Sequence, residues 1–284
     1  MRIPTRNLSR IHTEGLFVLD MYALSADEVL LACGAAGVPA VSLRTAQLAA
    51  HESIRADAWG VAFDSHTDTL ILLVTAPTGA YYQLVSLRRN ASEWLEVQRL
   101  DTRSRHSFKF AVCDSRVLLG GDGDTLDMSR MLLGGYERHT LYVFDVSVAH
   151  TLRDAGSVTL PSRFNNVACT RRNGVTLVAF SHYSSVSLLQ LTSLPLRLVP
   201  LASVNLTSPG RLLFREELLL VEDLNIATVT HDIVSFRVTD NALTDLRVLY
   251  DAQANVRAYA WTLAGDRLVL WDLLSWDLLV YAFA

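Results

Sequence analysis

The chain has 284 residues, half of them hydrophobic and 19% charged, and a formal net charge of −4. A chain of this size can bury roughly three quarters of the surface its unfolded form exposes, so there is apolar material for one large core or two ordinary ones. The acid excess, with no Lys/Arg run longer than two residues, excludes a general nucleic-acid binder, which needs a clustered basic face.

No stretch approaches the roughly 18 consecutive apolar residues of a transmembrane helix. The first fifteen residues, MRIPTRNLSRIHTEG, carry charge with no apolar run behind them, unlike a secretory signal. The expectation is an intracellular protein, cytoplasmic or nuclear, that does not use a membrane. Cys33, Cys113 and Cys169 all sit in apolar segments, and no pair has the spacing of a metal knuckle. They are expected to be buried free thiols in a reducing compartment. Sequons at Asn7, Asn90 and Asn205 are about as many as chance supplies.

In chain order, the segment Ile3 to Ile11 comes first, and six similar units follow it. Each unit holds an apolar run of three to five residues, bounded by turn residues, as a strand buried on both faces requires. The runs are Val29-Leu30-Leu31-Ala32, Leu70-Ile71-Leu72-Leu73-Val74, Val117-Leu118-Leu119, Val175-Thr176-Leu177-Val178, Leu218-Leu219-Leu220-Val221 and Leu268-Val269-Leu270-Trp271. After each comes a shorter copy of one motif: Val41-Ser42-Leu43, Val85-Ser86-Leu87, Val143-Phe144-Asp145, Val186-Ser187-Leu188, Val234-Ser235-Phe236 and Val280-Tyr281-Ala282. Ahead of the runs lie segments of small and aromatic residues, such as Trp59-Gly60-Val61-Ala62-Phe63 and Ala258-Tyr259-Ala260-Trp261. Polar alternation, as in Trp94 to Leu100, marks a fourth strand with one wet face.

The motif valines recur at intervals of 44, 58, 43, 48 and 46 residues, the period of a four-stranded propeller blade. The longest interval carries an insertion. The units cover about 16–52, 57–100, 108–160, 164–206, 209–250 and 255–284. The last has three strands only, so the N-terminal segment 3–11 is expected to supply its fourth and to remove a free edge. Helix-like stretches, Thr45 to His51 and Val148 to Asp154, are too short to support a helical repeat. A pair of β-sandwiches fits the period less well.

The chain thus resembles the β-propeller proteins as a class, over nearly all of its length. The stretch Ala264 to Leu273, with Trp271-Asp272, is similar to part of a WD-repeat. The usual Gly-His dipeptide is missing, and the Trp-Asp pair does not recur at this place in other units. The resemblance implies an all-β fold, a single domain of six four-stranded blades.

In such a ring, the connections between second and third strands and those between blades open on one face. Function is expected there. On that face the sequence places the insertion Asp122 to Glu137, His182 and Tyr183, Glu222 to Asp232, and Ser275-Trp276. It also places there Arg103, Arg105 and His106, then Arg163, Asn165 and Asn166, then Asn255 and Arg257. Met128, Met131, Leu132 and Trp276 are candidate anchors for a protein or peptide, with Arg105, His182 and Tyr183 beside them.

Asp122, Asp124 and Asp223, with Asn166, are hard oxygen donors that could hold a divalent ion. Six-bladed propellers resembling the gluconolactonase class imply Ca²⁺ in such a place, and hydrolysis of a lactone. The chain lacks an EF-hand loop and a G-x-S-x-G elbow, and Ser104 with His106 is proximity alone. A sialidase-type cluster of Arg105, Arg163 and Arg257 comes without the Asp-boxes of that class. The expectation is a non-enzymatic interaction scaffold without a cofactor, as a subunit of a larger assembly. The alternative is a metal-dependent hydrolase or ligand-binding propeller.

Overall fold

The structure, a computed structural model, describes residues 5–13, 15–48, 54–78, 81–91, 93–102, 109–122, 139–160, 162, 164–225, 230–239, 242–250 and 258–283. These residues form β-strands, turns and bends, with no helix among them. The first strand, β1 (Thr5–His12), stands apart in sequence from the blade it joins. Blade one holds β2 (Asp20–Ala23), β3 (Glu28–Ala32), β4 (Ala40–Ser42) and β5 (Gln47–Leu48). Blade two holds β6 (Ala58–Asp64), β7 (Thr69–Thr75), β8 (Tyr82–Asn90) and β9 (Glu93–Asp101). Blade three holds β10 (Lys109–Cys113), β11 (Arg116–Asp122), β12 (His139–Asp145) and β13 (Arg153–Leu160). Blade four holds β14 (Asn166–Arg172), β15 (Val175–Ser181), β16 (Ser185–Ser193) and β17 (Leu196–Asn205). Blade five holds β18 (Pro209–Arg215), β19 (Leu218–Asn225), β20 (Thr230–Val238) and β21 (Leu243–Tyr250). Blade six holds β22 (Ala258–Ala264), β23 (Arg267–Asp272) and β24 (Asp277–Phe283), with β1 completing it.

Neighbouring strands in every blade are antiparallel, and the six sheets form a β-propeller. The apolar runs are the second strands, and their alternation explains why they are apolar throughout. Side chains of one strand point alternately to the two faces of its blade, and each face packs on another blade. Leu70 and Leu72 of β7 meet Leu30 of blade one, whereas Ile71 and Leu73 meet Val117 and Leu119 of blade three. Leu118 meets Val178 and Phe180, and Leu177 and Ala179 meet Leu219 and Val221. Leu220 meets Leu268 and Leu270, and Val269 and Trp271 meet Val29 and Leu31. Six seams thus close a ring, and each fully buried side chain of this size contributes about 1.5–3 kcal/mol.

The ring is latched by β1 on β24, paired from Thr5 opposite Phe283 to His12 opposite Asp277 with one register shift between Asn7 and Ser9. At its end His12 Nδ1 lies 2.8 Å from Asp277 Oδ1, and Arg10 Nε lies 3.3 Å from Asp277 Oδ2. The Thr13 hydroxyl donates to Trp276 O at 2.5 Å, and the Trp271 indole donates to the Thr13 oxygen at 3.4 Å. The face opposite the expected loop face is clasped by side chains. Arg267 reaches Ala26 O and Asp27 of blade one, Arg171 reaches Asp114 of blade three, and Arg172 reaches Val238 O of blade five. The Ser86 hydroxyl of blade two donates to His150 O of blade three at 2.5 Å.

One expectation is overturned. Cys113 of β10 and Cys169 of β14 are joined in a disulfide across 56 residues, with their Cα atoms 5.8 Å apart. Local spacing could not show this, because the pair is made by the innermost strands of two neighbouring blades, which meet only when one blade packs on the next. Cys33 alone is a free buried thiol, and burial pushes it up to about 12.

Candidate functional site: the channel mouth and the loop face

The six innermost strands surround a cavity of about 980 Å³, lined by Asp20, Gly60, Phe110, Asn166, Arg211 and Thr262, one from each blade. Antiparallel order puts the start of every innermost strand on the face that also carries the connections between second and third strands. Asp20, Asn166 and Arg211 therefore stand at the mouth of the channel on the loop face.

A polar network braces that mouth. Arg211 Nη1 lies 2.5 Å from Asp20 Oδ1, and Arg211 Nη2 donates to Met21 O at 2.9 Å. The guanidinium thus reaches from blade five to blade one, past the blade between them. Asp20 Oδ2 accepts the Val61 amide of blade two at 3.1 Å. Glu222 accepts the Arg211 amide at 3.2 Å through Oε2, and its Oε1 lies 2.5 Å from His231 Nδ1. Gly210 makes room for this, since a methyl group there would stand 2.9 Å from Glu222 Oε2. The Arg211 side chain thus ties blade five to blade one, while Glu222 and His231 hold its main chain from within blade five.

Of the residues singled out from sequence, Asn166 lines the channel. Asp223 does not point its oxygens at it: they accept the amides of Ser208 at 2.8 Å and Thr207 at 3.4 Å, capping the turn between blades. Asp122 ends β11, and its side chain lies outside the described residues, as do Asp124, Arg105, Met128, Met131 and Leu132. Among the described residues no group of three or more His, Cys, Asp or Glu could hold a metal ion.

His182 and Tyr183 lie together in the connection between β15 and β16. The His182 ring stands 3.3 Å from Ser162 Oγ, and Tyr183 is 65% exposed. Trp276 holds a positive φ of 60° in the turn between β23 and β24. Asp272 shapes that turn by accepting the amides of Leu274 and Ser275, both at 3.2 Å. The Trp276 ring packs edge-on against buried Trp271 and against Phe17, with centroids 5.9 and 6.1 Å apart. Phe17, Leu274 and Trp276 remain exposed side by side at 38%, 54% and 38%. Phe17, Leu274 and Arg211 went unnoticed in the sequence, where nothing local distinguishes them from core residues or solvated ones.

No protein-family model matches the chain, and no curated protein matches it in sequence. Several solved structures are similar to it over its whole length. A chain of a mitotic checkpoint complex superposes with a TM-score of 0.60 at 9% identity, covering 100% of this chain and 97% of that one. A WD40 β-propeller domain of Doa1 gives 0.55 at 8% identity, covering 99% and 97%. Glucose dehydrogenase gives 0.62 at 9% identity, covering 99% of both chains. Identities this low establish the fold alone, which interaction domains and enzymes share.

Proposed function

We propose that the chain is a non-enzymatic interaction scaffold that offers its loop face to a protein or peptide partner, as one subunit of a larger assembly. The exposed group of Phe17, Leu274 and Trp276, with the exposed Tyr183 on the same face, supports this most directly. Large apolar side chains held rigid on a ring lose little entropy on binding, and aromatic ones anchor most interfaces. The similarity to a chain of a mitotic checkpoint complex and to a WD40 domain fits a partner-binding role. No cofactor is needed for it.

The alternative to the scaffold is a metal-dependent hydrolase or ligand-binding propeller that would use Ca²⁺. It draws support from the polar-rimmed cavity of about 980 Å³ and from the similarity to glucose dehydrogenase.

The scaffold is tested by capture from extracts of the source cells, comparing wild type with Leu274→Asp and Tyr183→Ala. Both side chains are exposed, so the variants should melt as wild type does. A partner held by wild type and lost at least tenfold from Leu274→Asp is the expected outcome. Identical sets of captured proteins at equal thermal stability would remove this face from consideration.

A further inference from the structure

We infer that the Cys113–Cys169 disulfide is a reversible redox staple across the seam between blades three and four, opened by small thiols that arrive through the central channel. β10 and β14 belong to separate sheets, so no β-ladder joins them. The seam is otherwise made of side chains. Leu118 packs with Val178 and Phe180 at its centre. Arg116 donates to Thr176 Oγ1 at 3.0 Å and to Ser193 Oγ at 2.6 Å, and Arg171 pairs with Asp114. The disulfide adds a covalent tie on the innermost strands, and among the described residues it is the one covalent cross-link between blades besides the main chain.

Access and isolation make the tie switchable. Both cysteines are half-buried, and Cys169 lines the channel cavity, which at about 980 Å³ admits a small thiol. Cys33 cannot exchange with the pair. It sits in the seam between blades six and one at 6% exposure. Burial pushes its thiol up to about 12, so it stays protonated at neutral pH and is a poor nucleophile. Opening therefore requires an external thiol. Its thiolate attacks Cys169 Sγ, the S–S bond breaks, and Cys113 leaves as a thiolate that takes up a proton. A second external thiol then attacks the mixed disulfide, which frees Cys169 and releases the reductant as its own disulfide. Two electrons pass from the two external thiols to the cysteine pair, and the reverse exchange with an oxidised small-molecule disulfide closes the staple. In a thiol-reducing compartment the open form is favoured, and in an oxidising one the closed form.

The experiment uses the full chain, folded, after incubation with oxidised glutathione or with dithiothreitol. It reads iodoacetamide labelling by peptide mass, thermal melting, and amide exchange. Oxidised protein is expected to leave Cys113 and Cys169 unlabelled, and reduced protein to label both while Cys33 stays unlabelled. Reduction is expected to lower the melting temperature by roughly 5–10 °C and to speed exchange in β10 and β14. Cys33→Ala should keep that response, and the Cys113→Ser/Cys169→Ser double variant should lose it and melt like reduced wild type. Labelling of both cysteines after oxidised glutathione, resistance of the folded protein to dithiothreitol, or equal melting in both states would each overturn the proposal.

Discussion

Arg211 carries a positive charge from the fifth blade to the first, where Asp20 and the Met21 carbonyl receive it. The two charged side chains are 21% and 17% exposed, between the surface pairs that contribute almost nothing and the buried ones that are costly to break. Removing one partner leaves the other short of solvent and of a counter-charge. Arg211→Ala is therefore expected to cost roughly 1–3 kcal/mol. That corresponds to a fall of about 2–4 °C in melting temperature per kcal/mol in a domain of this size. Arg211→Lys should recover only part of it, because one ammonium cannot span both acceptors as the guanidinium fork does. Equal melting of Arg211→Ala and wild type would show that the brace is ornamental. Asp223 shows a complementary case: each oxygen of a carboxylate near a channel can be turned to a backbone amide of a neighbouring turn.

At the scale of elements, the second strands were legible because their demands are local. A strand packed on both faces must be apolar at every position, so Leu70 to Val74 announced itself, and so did Leu268 to Trp271. The shorter valine motifs behind them are the third strands, paired with the runs in every blade: Val85 opposite Leu72, Val143 opposite Leu118, Val280 opposite Val269. The fourth strand of blade one was less legible. β5 spans two residues, Gln47–Leu48, too short to show alternation, and its surroundings read as a helical stretch. The closing role of the N-terminal segment followed from arithmetic, since three strands need a fourth, and β1 fills that place. Deleting residues 1–12 should bare the edge of β24, remove buried Ile11 and uncover Trp271 and Leu278, which share its cluster. Calorimetry should show a fall of roughly 10 °C or more. An unchanged melt would mean that the ring closes without its latch.

The whole molecule decides between the two functions. A scaffold is indifferent to divalent ions, and a hydrolase that holds Ca²⁺ is not. Free ligand at about 100 times its dissociation constant stabilises the folded state by roughly 2.7 kcal/mol. Melts with EDTA and then with added Ca²⁺, Mg²⁺ or Zn²⁺ are expected to coincide. A rise specific to Ca²⁺ would favour the hydrolase and direct mutation to Asp122, Asp124 and Asn166.

The candidate site was legible only in part. Tyr183, His182 and Trp276 were placed on the loop face by their position between second and third strands, which any blade imposes. Phe17 was not, because its packing partners are Trp271 and Trp276 at the far end of the chain. The sequence by itself determined the class of strand at each place, the number of blades and the need for a latch. Each of these follows from the alternation of side chains along a strand and from a repeat that can be counted. Only the tertiary structure decided that Cys113 bonds Cys169 across 56 residues and that Arg211 reaches Met21 across 190. Such pairs obey no local pattern: the packing of blades and the closure of the ring set their distances, and no residue near either partner in the chain records them.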